Sequence, residues 1–230
     1  MLYDFLLKER PERIHYHVQF GEVLINLRRY NEAEIVIQKM IEKYPEDIRG
    51  WSMMSHCARR AKKLEIAEEY CSKALKIDPN YRQSRIHFAR IAHDQGDYFL
   101  AEERWRAVLE IEPTHYSAIM GVARASLKRG DYEAGKEILF GLIGSELHKH
   151  RIWPYIELIN MVFNYLQDYE VTVEICRSLF SNVGSSIQNH KRLEHIPVCH
   201  MGLCLSKLGE HKEAMKLLNR YSQENPENGE

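Results

Sequence analysis

The chain has 230 residues, enough for one or two ordinary domains, and with 44% hydrophobic and 28% charged residues its composition is that of a folded chain with a sizeable core. Lysine and arginine number 32 against 33 aspartate and glutamate, a net charge of −1, so no global excess marks it for nucleic acid or a membrane surface and electrostatic recognition must be local. No run of about 18 apolar residues occurs, Met1–Arg10 lacks the features of a signal peptide, and the scattered Cys57, Cys71, Cys176, Cys199 and Cys204 form no CxxC pair, so no membrane insertion is expected and a reducing, cytoplasmic setting fits.

The prolines set a ruler, because Pro11, Pro45, Pro79 and Pro113 stand 34 residues apart each time. Placing that proline at position 32 of a 34-residue repeat predicts four regular repeats at 14–47, 48–81, 82–115 and 116–149. Ahead of them, residues 1–13 read as a partial repeat, with Leu2–Glu9 where the second helix of a preceding pair would lie. Such a start raises the expectation that the chain is an excerpt of a longer protein. Within each repeat, large apolar residues recur at helical spacing in two blocks, which predicts an antiparallel helix pair. Proline ends the second helix because it lacks the amide hydrogen and clashes with the preceding turn. Turns such as Gln95-Gly96-Asp97-Tyr98 and Arg129-Gly130-Asp131-Tyr132 part the two helices. Position 8 reads Gly21, Ser55, Ala89 and Ala123, and position 20 reads Ala33, Ala67, Ala101 and Gly135, as two closely crossing helices require.

After repeat four, Phe140 to Gly144 is expected to weaken its helix and Trp153-Pro154 to restart another. Residues 150–194 hold a divergent repeat at 153–186, with Asn160 and Thr172 at the small positions, and an insertion, Ser181–Glu194. That insertion reads as a surface loop, with a recognition loop as the alternative. Residues 195–230 hold the last repeat, with Gly202, Ala214 and Pro226, and a polar tail. The usual polar capping helix after Leu217, Leu218 and Tyr221 is missing, which leaves three readings open: a fragment, a homo-oligomer pairing through its ends, or end helices polar enough to serve as caps.

This pattern resembles the tetratricopeptide repeat family, whose signature is Trp-x2-Leu-Gly-x2-Tyr, then Ala-x3-Phe, then Pro. Repeat two carries it as Trp51, Met54, Ser55, Ala58, Ala67, Cys71 and Pro79, and repeat one as His17, Phe20, Gly21, Leu24, Ala33, Ile37 and Pro45. Repeat three carries Phe88, Ala89, Ala92, Ala101, Trp105 and Pro113, and repeat six Met201, Gly202, Leu205, Ala214, Leu218 and Pro226. The resemblance implies an all-α, right-handed superhelical solenoid of antiparallel helix pairs whose first helices line a concave groove. In such an array Trp51, Trp105, Tyr98, Tyr132 and Phe88 read as interhelical core.

By the same resemblance, positions 2, 5, 9, 12 and 13 of the first helices face the groove. These are Arg49, Ser52, His56, Arg59 and Arg60 in repeat two, and Gln83, Ile86, Arg90, His93 and Asp94 in repeat three. Repeat four adds Ser117, Met120, Arg124, Leu127 and Lys128, so six basic residues stand against one Asp where a concave wall focuses the field. The expected partner is a protein or peptide with an acidic segment. Arg49, Arg59, Arg60, Arg90, Arg124 and Lys128 would pair with its carboxylates, and Ile86, Met120 and Leu127 would supply side-chain pockets. The competing reading is a solvated face balanced by Glu65, Glu68, Glu69, Glu102 and Glu103 of the second helices. The family's clamp for the acidic C-terminal tails of Hsp70 and Hsp90 chaperones is absent, since Val18, Glu22, Met53, Gln83 and His87 stand in its place across repeats one to three.

No GxSxG, P-loop, GxGxxG or HExxH motif occurs, and no cofactor is implied. His195 with Cys199, and His200 with Cys204, sit at i,i+4 spacing, but no nearby cysteine completes a tetrahedron, so metal is disfavoured, and His148 and His150 read as loop residues. Aromatic residues fall at packing positions, which disfavours nucleic acid. The expected function is a non-enzymatic interaction scaffold or adaptor. The alternatives are a targeting or regulatory module of a larger enzyme or of a secretion or polysaccharide-export assembly, and a scaffold that self-associates through its ends.

Overall fold

Each 34-residue repeat folds as the period demands, one helix out and one helix back, in the computed structural model, which describes residues 14–184 and 191–224. Repeats one to four are the pairs α1 Ile14–Asn26 and α2 Tyr30–Lys43, α3 Ile48–Arg60 and α4 Leu64–Ile77, α5 Arg82–Gln95 and α6 Tyr98–Leu109, and α7 Tyr116–Lys128 and α8 Tyr132–Gly144. Repeat five is α9 Ile152–Met161, a π-helical stretch Val162–Leu166 and α10 Tyr169–Val183; repeat six is α11 Lys191–Lys207 and α12 His211–Glu224. The expected leading helix Leu2–Glu9 and the tail with Pro226 lie outside the described residues. Contacts divide the chain into two bodies, one ending at Ala125 and one beginning at Ser126. No helix among the described residues is long and apolar enough to cross a membrane.

In the first body α1 to α6 pack consecutively, and α3 also packs on α1 and on α5, so first helices stack on first helices. The crossing within each pair falls on the small residues: Ala33, Ser55, Ala67, Ala89 and Ala101 have no exposed surface. Ser55 donates its hydroxyl to the Ala67 carbonyl at 2.8 Å, tying position 8 to position 20 across the crossing. A Cβ on Gly21 would collide with the Met53 methyl, and one on Gly121 with the Trp105 indole. Leu24, Ile25, Ile37, Met54 and Cys57 form one apolar cluster and Ala58, Cys71 and Ile91 another, with Trp51 and Phe88 packed at their margins. Of the aromatic residues expected in the core, Trp105 is buried, whereas Tyr98 and Tyr132 are half-buried. Trp51 keeps its indole N–H satisfied by donating to the Pro45 carbonyl at 2.7 Å, and Arg85, in the same place one repeat later, donates to Pro79 at 2.7 Å.

The turn inside every repeat has one backbone solution. Position 15 is left-handed in all six repeats, at Arg28, Lys62, Gly96, Gly130, Gln167 and Gly209, with φ from 54° to 85°. The next amide then reaches back five residues, from Arg29 to Leu24, Lys63 to Ala58, Asp97 to Ala92, Asp131 to Ser126 and Glu210 to Leu205, at 2.8 to 3.1 Å. This closure satisfies carbonyls that a helix end leaves open. Glycine marks three of the turns in the sequence; Arg28, Lys62 and Gln167 take the same conformation without that signal. Asp97, Asp131 and Asp168 accept from the amides of Leu100, Ala134 and Val171 and so start the following helices.

The second body corrects two boundaries. Phe140 to Gly144 does not interrupt α8, which runs to Gly144; Gly141 and Gly144 have open space around them, so nothing there forces the backbone apart. Ser181–Val183 close α10 and the backbone of Lys191–Glu194 already belongs to α11, so the expected Ser181–Glu194 insertion is helical at both ends, its middle lying outside the described residues. Inside α11, the Pro197 carbonyl accepts from the Cys176 thiol at 3.4 Å. Thr172 serves at a small position by turning its hydroxyl onto its own helix, donating to the Asp168 carbonyl at 2.7 Å.

Substitutions at these glycines separate backbone from packing. Gly96→Ala is expected to lower the urea midpoint by an amount equivalent to about 1 kcal/mol, and Lys62→Gly to raise it, because relief of the left-handed side-chain strain outweighs the added chain entropy. Gly121→Ala is expected to cost more than either, through the Trp105 ring. Circular dichroism of the three variants checks the order.

Candidate functional site

The stacking of α3 on α5 brings the first helices of repeats two and three into contact, and with them most of the expected groove residues. His56 on α3 lies flat on His87 of α5, with ring centroids 4.8 Å apart and planes 13° from parallel. One helical turn on, Arg59 donates to Asp94 at 2.7 Å across the same junction, with side chains only 14% and 24% exposed. Arg59 and Arg60 occupy the last turn of α3, where the helix dipole favours cations. Arg90 sits mid-helix on α5 without that support and is half-buried.

Burial first, and the excess of positive charge second, set how the junction titrates. His56 is pushed down to about 4, first by burial and then by Arg59, Arg60 and Arg90. Burial also holds His87 well below its ordinary value, with His56, Arg90 and Arg59 adding to the effect. Even the Arg90 guanidinium is lowered, by burial and then by Arg59, with Asp94 partly restoring it. The junction therefore holds two neutral imidazoles and three guanidinium groups against one carboxylate. Among the described residues Arg60 and Arg90 make no ion pair or hydrogen bond, and neither His87 Nδ1 nor Arg59 Nε, both buried, has a hydrogen-bond partner.

The remaining groove candidates divide by packing. Ser52, Ile86 and Met120 are 2%, 4% and 3% exposed and cannot line a surface pocket. The reason is helical geometry: each stands three residues before a buried small position, Ser55, Ala89 or Ala123, and shares its inward stripe. Arg49 is spent locally, its Nε and Nη2 on Asp47 at 2.9 and 2.6 Å, while the Asp47 carboxylate also accepts from the Arg49 amide and caps α3. That pairing, through the side-chain hydrogen bond above all, holds the Asp47 carboxyl below its usual range. His93 is half-buried with its ring edge-on to Tyr98 at 5.4 Å. Arg124 is half-buried in the first body; Leu127, half-buried, and Lys128, exposed, belong to the second.

Two second-helix carboxylates that could have balanced the groove are engaged with second-helix bases. Glu68 accepts from Arg104 at 2.6 Å and from Gln95 at 3.0 Å, and Arg104 also lies 3.4 Å over the Phe88 ring. Glu102 pairs with Arg106 at 2.8 Å. In repeat six, His195 and Cys199 are exposed, Cys204 is buried and His200 Nδ1 lies 2.8 Å from the Ile196 carbonyl. His148 is buried, and His150 Nδ1 lies 2.8 Å from the Asn182 carbonyl. Among the described residues no group of three or more His, Cys, Asp or Glu side chains is placed to hold a metal ion. Sequence reasoning left His87 out of the groove set; its only signal was histidine at a buried position beside His56.

Because His56 is lowered to about 4 in the folded chain against 6.5 unfolded, the unfolded chain binds the extra proton between those values, and stability falls as pH drops through that window. His87 acts in the same direction. The contribution of His56 between pH 7 and 5 is about 2 kcal/mol, so the urea midpoint is expected to fall over that range and His56→Gln to flatten the dependence.

Residues 48–81 and 200–228 match family models described as tetratricopeptide repeat, the first coinciding with repeat two from end to end. No curated protein matches the sequence. Among solved structures, pilF of Pseudomonas aeruginosa is similar with a TM-score of 0.71 at 14% identity, over 95% of this chain and 94% of that one. A tetratricopeptide repeat protein from Parabacteroides merdae gives 0.63 at 15% identity, over 94% and 89%. YrrB, described as a TPR protein with an unusual peptide-binding site, gives 0.56 at 10% identity, over 84% and 98%. At such identities the likeness is one of fold. Joined to the family-model matches, the helix-pair repeat, the small crossing residues and the recurrent left-handed turn show that the chain carries tetratricopeptide repeats.

Proposed function

We propose that the chain is a non-enzymatic scaffold that binds an acidic segment of a partner protein across the first helices of repeats two and three. The observation that carries this is the uncompensated charge where α3 meets α5, three arginines against Asp94, in a chain whose overall charge is −1. Arg60 and Arg90 engage the incoming carboxylates, since forked, charge-assisted hydrogen bonds suit them. Arg59, held by Asp94, sets the spacing of the two helices. Arg124 enters through its repeat position alone. Three neighbours in fold support the scaffold class by their descriptions: YrrB has a peptide-binding site, Naa15/Naa10 is bound to HypK-THB, and Cut9-Hcn1 is an APC/C hetero-tetramer.

The test is charge reversal that spares the structural pair. A fluorescein-labelled oligoglutamate peptide is expected to bind the wild-type chain at about 0.05 M salt and to weaken as screening rises. The Arg60→Glu/Arg90→Glu variant is expected to lose binding at least about tenfold, equivalent to 1.4 kcal/mol, with its helical content unchanged. Equal binding by the variant would remove the reading.

A second reading, self-association, is favoured by Leu203, Met215 and Leu218, which are 53%, 64% and 41% exposed on the last helix pair. It predicts a mass by light scattering that rises with concentration and reverts to the monomer in Met215→Glu. A monomer throughout sinks it.

A further inference from the structure

The junction of α3 and α5 has a more specific chemistry than affinity for a run of carboxylates, and the inference rests on the acidic-segment reading above. Its fixed charge is that of three guanidinium groups less the one carboxylate that Arg59 reaches at 2.7 Å, a residue of two positive charges. A carboxylate cancels half of this, whereas a phosphomonoester carries close to two negative charges and presents three acceptor oxygens. The donors are of the matching kind. Arg60 and Arg90 offer planar forks with no competing acceptor among the described residues, and arginine is the side chain best shaped for phosphate.

The depth of the junction adds a second, independent observation. His87 is only 3% exposed, and its Nδ1 has no hydrogen-bond partner among the described residues, while its Nε2 lies 3.4 Å from the Gln83 amide nitrogen. The buried Arg59 Nε is likewise unpartnered. Other buried side-chain atoms without a partner, on Ser52, Ser84, Trp105 and Ser126, belong to neutral groups, whereas Arg59 Nε–H is a charged donor at a junction with surplus positive charge, and with His87 Nδ1 it suits an acceptor-rich ligand. The stack of His56 on His87 stays neutral at physiological pH, because burial and the arginines lower both rings, so the positive charge is carried by guanidinium groups alone.

We propose that this junction binds a phosphorylated side chain of the partner segment, a phosphoserine or phosphothreonine dianion, with Arg60 and Arg90 gripping the phosphate oxygens and Arg59 Nε and His87 Nδ1 as donors behind them. Asp94 and His56 are the positioning residues, holding Arg59 and His87 respectively.

The experiment uses the full chain and three peptides identical but for a central serine, phosphoserine or glutamate within a glutamate run, with phenyl phosphate as a free monoester. The phosphoserine peptide is expected to bind at least about tenfold tighter than its glutamate twin and to shift the His87 ring resonances, which the glutamate peptide does not. Arg60→Gln and Arg90→Gln are each expected to erase that advantage. If Arg90→Gln lowers the melting temperature, Arg60→Gln, at the end of α3, decides alone. Equal affinity for phosphoserine and glutamate peptides overturns the inference and leaves the acidic-segment reading standing; binding of neither peptide sinks both. Phenyl phosphate binding as tightly as the phosphopeptide would overturn the assignment to a protein side chain and point to a free phosphorylated small molecule.

Discussion

Two helices of one repeat can cross closely only where neither carries a large side chain, and that contact decides what the rest of each first helix can do. Once Ser55, Ala89 and Ala123 are turned inward against their crossings, the residues three places earlier follow them into the core. Those one place later, His56, Arg90 and Arg124, emerge beside the surface. The packing rule thus selects the side chains from which a binding face can be made. Charge clusters there because the apolar quota of each helix has been met on the other side.

Arginine plays three separable parts in this chain. Arg104 reaches from α6 to Glu68 on α4 and covers Phe88, so its charge and its flat face both serve the stacking of repeats. Arg59 ties α3 to α5 through Asp94. Arg60 and Arg90 are what remains after the structural pairs are made. Half-buried pairs of this kind are stronger than exposed ones because solvent screens them less, but they owe that to carboxylates contributed by a neighbouring repeat.

The fold was largely legible because its signals are local and periodic: a proline every 34 residues, small residues at two fixed positions, glycine at half of the turns. The turns at Arg28 and Lys62 were not, since backbone hydrogen bonding to a carbonyl five residues back enforces a left-handed residue whether or not glycine is there, and Gln167 takes the same conformation at the end of a π-helical stretch. The π-helical stretch Val162–Leu166 had no sequence marker either. For the site, the list of groove positions located the basic cluster but treated its members as equivalent. Which arginine is engaged depends on partners 35 or 36 residues away, as for Arg59 with Asp94 and Arg104 with Glu68, and no local pattern reports them. Ser52, Ile86 and Met120 were misplaced for a related reason, because a one-residue step around a helix turns a side chain by about 100° and moves it from surface to core.

Each joint between neighbouring repeats of the first body carries its own side-chain bonds. Between repeats two and three, Arg59 meets Asp94, while Glu68 meets both Arg104 and Gln95. Between repeats one and two, Lys63 meets Glu34 and the Cys57 thiol the Tyr30 carbonyl. An array held by nearest-neighbour contacts comes apart at its weakest joint first. In the first body, loss of the Asp94 carboxylate would therefore make the joint between repeats two and three the one to open, while Lys63 and Glu34 still held repeat one to repeat two.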